Sequence, residues 1–160
     1  MLIKPKPADL FFTTSQSLFS AGVKFFTHSK WSHVQAVVGM EGEEIVVVSA
    51  DAEGVFCRAA REGELKRYAI LTYPGITKEQ REKVCKFLFS KIGSGYDYIG
   101  ILDFLIDSDI QAEERFFCSE LVFLAYQSAG IHLQERMDHA FVSPEILYIS
   151  PILKVIEVKV

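Results

Sequence analysis

The sequence predicts an α+β fold in which an antiparallel sheet packs against helices, and three features of the chain carry that prediction. Four β-rich segments follow one another between His33 and Tyr73, separated by short turn-forming stretches. Thr77-Lys78-Glu79-Gln80 fits a capping box and introduces an apolar stripe, Val84, Phe87, Leu88 and Ile92, at helical spacing. A second helical repeat, Leu121, Val122, Ala125 and Ser128, starts from Cys118 and stops before Gly130, where a C-cap glycine belongs. Strands grouped apart from helices describe an antiparallel α+β domain rather than the strict alternation that builds a parallel sheet.

Along the chain, Ala8 to Thr13 reads as a short strand after a proline-containing lead. Thr14 or Ser15 caps a helix that carries Leu18, Phe19, Val23 and Phe26 and ends near His28. The central strands are His33 to Met40, Glu43 to Ser49, Gly54 to Arg58 and Arg67 to Tyr73. Pro74-Gly75 turns the chain into the capped helix, and Gly93-Ser94-Gly95 breaks it. Tyr96 to Ile106 reads as a loop entering a short helix, and Asp107 to Glu114 as a polar loop. Val142-Ser143-Pro144-Glu145 marks another helix start with proline at its first position, and Ile152 to Val160 alternates as a closing strand. With no repeat, linker or low-complexity tract, residues 1–160 are expected to form a single domain.

A chain of 160 residues buries about 70% of the surface it exposes when unfolded, enough for a substantial core. Net charge is −4 with both signs interspersed, which leaves no cationic stripe for a phosphate backbone and argues against nucleic acid as a partner. The longest apolar stretch, Tyr98 to Ile106, contains Asp103 and is about half the length that spans a bilayer, so no integral membrane segment is expected. Prolines interrupt the lysine-bearing N-terminus and no apolar run with a cleavage site follows, so no secretory signal is read and a cytoplasmic setting is expected. Cys57, Cys85 and Cys118 are odd in number and widely spaced, as reduced thiols are. Without a CxxC pair or a Cys/His cluster at ligand spacing, neither a metal nor another cofactor is expected.

Chemistry enters with Cys118. A helix N-terminus offers unpaired N–H groups and the positive end of a dipole, and both favour thiolate over thiol. The repeat places Cys118 there, with its own backbone N–H as a candidate donor to an oxyanion. A cysteine near a helix start is more often a small core residue, so the chemical reading needs a base. His33 lies in a strand, whose rigid backbone can fix an imidazole, whereas His28, His132 and His139 read as surface or loop residues. Alternation puts His33, Gln35 and Val37 on one face and Val34, Ala36 and Val38 on the other. Cys57 and Cys85 read as buried structural thiols. The doublets Phe11-Phe12 and Phe25-Phe26 face two sides, which leaves core packing and contact with an apolar substrate or membrane both open.

In order and in type these residues resemble the circularly permuted papain-like hydrolases of the YiiX and YaeF type, permuted relatives of the NlpC cell-wall peptidases. Trp31-Ser32-His33-Val34 through Val38-Gly39 is similar to that family's histidine strand, and Phe117-Cys118-Ser119-Glu120-Leu121-Val122 to its nucleophile helix. Gly95-Tyr96-Asp97 resembles its Tyr-Asp element, Ala8-Asp9-Leu10-Phe11 its opening strand, and Ser143-Pro144-Glu145-Ile146 its late turn. The resemblance implies a permuted papain-like (NlpC-type) fold with His33 as general base and Cys118 as nucleophile, passing through a covalent acyl-enzyme. It also implies a third polar residue, often Glu or a second His, on the strand after the histidine strand, where it orients the imidazole. By position that residue is Ser49, which can accept an Nδ1–H hydrogen bond but stabilises imidazolium less than a carboxylate does. Asp51 shares the parity of Ser49 and supplies a carboxylate if the strand extends or bulges, so both stand as candidates beside the plainer reading of a polar strand end. Tyr96 is a candidate second oxyanion donor or else a half-buried loop tyrosine, while Asp97 and Glu120 read as structural hydrogen-bonders.

The expected function is a cysteine hydrolase of the peptidase or amidase type, acting on a peptide, amide or lipid-derived acyl substrate. Permuted papain-like relatives include lecithin retinol acyltransferase-type enzymes, so a thiol-dependent lipid acyltransferase or phospholipase is the alternative. The missing third carboxylate admits another reading, a catalytically weakened binding module of the same fold.

Overall fold

A computed structural model of the chain describes residues 4–14, 30–51, 54–93, 113–135 and 142–160. Among them six strands, β1 (Leu10–Thr13), β2 (His33–Glu41), β3 (Glu44–Asp51), β4 (Gly54–Ala59), β5 (Tyr68–Thr72) and β6 (Lys154–Lys159), make one sheet in the order β4-β3-β2-β1-β5-β6. Every neighbouring pair is antiparallel. Three helices accompany it: α1 (Lys78–Lys91), α2 (Glu113–Ser128) and α3 (Pro144–Tyr148), with one 3-10 turn at Glu64–Lys66 between β4 and β5. Helix α2 lies against β2 and β3 and also touches α1 and α3. The helix expected after Thr14 and the elements expected from Tyr96 to Ile106 lie outside the described residues.

Alternation along β1 and β2 serves two cores. Phe12, Val34, Ala36 and Val48 face the helices and pack with Val84 and Leu88 of α1, Val122 and Tyr126 of α2, and Leu147 of α3. Phe11, Val37, Ile45, Val47, Tyr68 and Ile70 face the other way and form a smaller core under the β4–β5 connection, against which Leu65 packs. Phe11 and Phe12 are both fully buried, each contributing about 2–3 kcal/mol of apolar burial, so this doublet is core on two faces rather than a surface for lipid. Phe25 and Phe26 lie outside the described residues. Between Val37 and Gly39 the register with β3 shifts, which makes Val38 the bulged residue and re-aims the far end of the strand.

The helix ends follow the local chemistry. The Thr77 side chain accepts from the Gln80 N–H at 3.1 Å while the Gln80 side chain accepts from the Thr77 N–H at 3.0 Å, which completes the predicted capping box of α1. Val84 and Leu88 of its stripe are buried, whereas Ile92 is the C-cap and is exposed. At the end of α2, Gly130 has φ 73° and donates to the Gln127 carbonyl at 2.9 Å, and Ile131 donates to the Tyr126 carbonyl at 3.0 Å. This is a Schellman closure, which needs the left-handed conformation that glycine adopts without cost.

Two expectations change here. Helix α2 begins at Glu113, inside the stretch read as a polar loop, so Cys118 is its sixth residue and lies in the second turn rather than at the first. The stretch Glu113-Glu114-Arg115 shows no apolar repeat that would mark it as helical in the sequence. Cys57, read as a buried thiol, is exposed because β4 is an edge strand; Cys85 is half-buried on α1.

A polar knot ties the entry strand to α1. Asp9 is buried and accepts from the Lys6 N–H at 2.8 Å, the Thr72 hydroxyl at 2.7 Å and the Arg81 guanidinium at 3.0 Å. Arg81 also donates to the Pro7 carbonyl, and the Tyr126 hydroxyl donates to the carbonyl of Ala8, which is held at φ 66°. Replacing Arg81 by Met keeps the apolar stem but leaves the Asp9 carboxylate buried without its cation. Arg81→Met is expected to cost about 3 kcal/mol in urea unfolding, and the double Asp9→Asn/Arg81→Met clearly less.

Candidate active site

The site is built where β2 starts. Trp31 is fully buried and packs on Tyr148 of α3, with ring centroids 5.7 Å apart, and Tyr148 in turn meets Phe12 edge to face at 5.5 Å. The Ser32 N–H donates to the Thr13 carbonyl at 3.1 Å, and His33 pairs with Thr13 in the β1–β2 ladder. The backbone carrying the imidazole is thus fixed on one side by aromatic packing and on the other by the sheet. Cys118 comes from α2, whose next residue, Ser119, donates from its hydroxyl to the Val142 carbonyl at 2.6 Å and ties the helix to the segment before α3.

The structure brings Cys118, His33 and Ser49 together. Cys118 is 1% exposed, and its side chain hydrogen-bonds that of His33. Ser49 Oγ lies 2.7 Å from His33 Nε2, which leaves Nδ1 as the nitrogen for the sulfur. Ser49 therefore meets the imidazole as its strand position predicted, but at Nε2 rather than at the expected Nδ1. Asp51 closes β3 opposite Gly54, and its side chain is outside the described part of the chain. Tyr96 and Asp97 are likewise outside the described residues. The candidate oxyanion donor at the Cys118 N–H loses its basis, because only the first four N–H groups of a helix lack an intrahelical partner and Cys118 is further in.

Electrostatics favour charge separation between the two partners. Burial by itself pushes the Cys118 thiol up, yet its pKa is lowered, first by the charge of His33, then by their hydrogen bond and by the backbone N–H groups of Val34 and Ser119. Burial likewise pushes His33 down, yet its pKa is raised by the facing Cys118 thiolate and, further off, by the Glu64 carboxylate, with Arg58 opposing. Both shifts point to a thiolate–imidazolium pair. For the thiolate, the dipole of the helix start expected from sequence gives way to the imidazolium.

Glu64 belongs to a group that strand patterning did not single out. It accepts from Arg58 Nη1 and Nη2, each at 2.8 Å, from Gln35 Nε2 at 2.9 Å and from the Arg61 N–H at 2.6 Å. These donors outweigh burial and lower its pKa, so it stays ionised. Among the described residues no three His, Cys, Asp or Glu side chains stand together as a set that could hold a metal ion, and no helix is long and apolar enough to cross a membrane.

An antiparallel sheet that carries a histidine at the start of one strand, set against a cysteine on a packed helix and preceding it in the chain, defines a papain-like architecture in permuted order. The chain belongs to the family of permuted papain-like amidase enzymes of the YaeF/YiiX type, C92, whose model matches residues 4–142. It is 30% identical over 100 residues to the Escherichia coli (strain K12) protein named "Probable lipoprotein peptidase YaeF", covering 62% of this chain and 36% of that one. To YiiX of the same strain, described as uncharacterized, it is 25% identical over 138 residues, covering 83% of this chain and 63% of that one. The chain thus spans about a third and under two thirds of these curated relatives. Its fold is shared with a crystal structure titled metalloprotein yiiX from Escherichia coli O157:H7, at TM-score 0.67 and 22% identity, over 96% of this chain and 97% of that one.

The shifts fix how thiol reactivity depends on pH. Because the Cys118 pKa is lowered, the midpoint of its alkylation by iodoacetamide is expected below that of an ordinary thiol. Cys57, exposed on the edge strand but with its thiol pushed up by partial loss of hydration, should titrate above it in the same sample. Ser49→Ala removes the oxygen facing Nε2 and should move the Cys118 midpoint upward, slowing modification at neutral pH by about tenfold. Peptide mapping of alkylated protein across pH reads both cysteines at once.

Proposed function

We propose that the chain is a cysteine hydrolase of amide or peptide bonds, with Cys118 as nucleophile, His33 as proton carrier and Ser49 as the residue that orients the ring. The observation that carries this reading is the buried Cys118–His33 pair, in which burial is overcome in both partners by their mutual charge. Membership of a permuted papain-like amidase family supports the bond class.

In the first half-reaction the Cys118 thiolate attacks the carbonyl carbon and a C–S bond forms. The C–N bond then breaks as the His33 imidazolium gives its proton to the departing amine. In the second half-reaction the now neutral imidazole takes a proton from water. The resulting hydroxide attacks the thioester, the C–S bond breaks, and the carboxylic acid leaves with Cys118 again a thiolate beside imidazolium. Ser49 Oγ can accept from Nε2–H in either charge state of the ring, so it holds the imidazole's orientation through both halves.

Intact-protein mass spectrometry of the full chain, quenched in acid during turnover of amide or activated-ester substrates, should show an acyl adduct on Cys118. Cys118→Ala should abolish both adduct and turnover, and His33→Gln should lower turnover by at least about a thousandfold. Turnover that survives Cys118→Ala would overturn the assignment. A fatty-acyl adduct formed from phospholipid, without amide turnover, would replace it by lipid acyl transfer.

A further inference from the structure

Neutral Ser49 stands where the imidazole is oriented, and among the described residues a carboxylate bonded to this face of the sheet comes from a different element. Along β2, His33 and Gln35 point to the same side, as do Ser49 and Val47 on β3 and Phe56 and Arg58 on β4, where Ser49 pairs with Phe56 and Val47 with Arg58. The 3-10 turn at Glu64–Lys66 closes over this side and delivers Glu64 to Gln35 and Arg58. Gln35 is completely buried, and its amide spans both charges: Nε2 donates to Glu64 at 2.9 Å, and Oε1 accepts from Arg58 Nη2 at 3.2 Å.

We propose that Glu64, held on this face by Arg58, Gln35 and the Arg61 N–H, supplies the negative charge that the orienting position lacks, and acts as a positioning residue that keeps His33 as imidazolium. The inference rests on the thiolate–imidazolium reading above.

Three observations support it. Residues two apart on a strand face are separated by about 7 Å, so a carboxylate bonded to Gln35 lies within through-space reach of His33 in a poorly hydrated setting. The titratable or charged groups acting on His33 among the described residues are Cys118 from α2, Glu64 from the 3-10 turn and Arg58 from β4, and Glu64 outweighs Arg58. A half-buried ion pair seldom stabilises a fold more than apolar packing would. Here the carboxylate is nonetheless anchored by four donor contacts, beside a core that already contains Val37, Val47 and Leu65. Its negative charge is what apolar packing could not replace.

Titration of the His33 ring by NMR, on the full chain with isotope-labelled imidazole, tests this directly. Glu64→Gln keeps the shape of the side chain and removes its charge. It is expected to lower the His33 midpoint by about half to one pH unit, both with Cys118 present and in Cys118→Ala, where no thiolate contributes. The double variant Arg58→Met/Glu64→Gln strands no buried charge, serves if the single variant does not fold, and should lower the midpoint less but in the same direction. A midpoint that stays put or rises in these variants overturns the proposal, and a change confined to unfolding stability assigns Glu64 a purely structural role. A lowered midpoint in a protein whose Cys118 forms no acyl adduct would uphold Glu64 and remove the hydrolase reading instead.

Discussion

A thiol and an imidazole taken out of water together each lose the hydration that their charged forms need. Left to burial alone, Cys118 would stay protonated and His33 neutral, and a neutral thiol is a poor nucleophile. Their pKa values move the other way, Cys118 down and His33 up, because each charged form becomes the other's solvent, through a direct hydrogen bond and a Coulomb attraction that low dielectric strengthens. That exchange works only at contact distance. The position of the second turn of α2 relative to the first residue of β2 is therefore the constraint on which the rest of the site depends.

The fold meets that constraint by anchoring both elements away from the contact. Helix α2 is closed at its far end by the Schellman turn at Gly130 and fastened through Ser119 to Val142 and through Tyr126 to Ala8. Strand β2 sits inside the sheet between β1 and β3, with Trp31 packed just ahead of His33. Ala8 connects the two systems, since its N–H donates to the Val37 carbonyl of β2 at 2.7 Å while its own carbonyl receives the Tyr126 hydroxyl. The left-handed conformation at Ala8, which costs roughly 1–2 kcal/mol for a residue with a Cβ, is held by these bonds and by the Asp9–Arg81 knot beside it.

What could be read from sequence divides along physical lines. Alternation in β2 and the parity of Ser49 were legible because strand side chains repeat every two residues, and the resulting face assignments hold around the bulge at Val38. The capping box at Thr77 was legible because its chemistry is local. The start of α2 was not, since a helix turn without apolar repeat looks like a loop until it is seen to precede a packed one. Cys57 was misread because its segment has the composition of a core strand, and edge position is a property of sheet order, which composition does not carry. Glu64 escaped for a related reason. It lies on a turn, and only the folding of that turn across the sheet brings it to Gln35, 29 positions away in the chain.

In the proposed hydrolase, Ser49 and Glu64 together account for a neutral hydroxyl where a carboxylate would be expected. A hydroxyl accepts from Nε2–H of imidazolium and of neutral imidazole alike, so it orients the ring while favouring the cation only weakly. A carboxylate at hydrogen-bond distance would orient the ring too, but would hold its proton more tightly. A proton carrier works best when its pKa lies near the working pH, because it must release the proton to the leaving amine and recover one from water in each cycle. Separating the two tasks, with orientation by Ser49 at 2.7 Å and charge by a more distant carboxylate partly offset by Arg58, favours imidazolium while keeping that proton available for transfer.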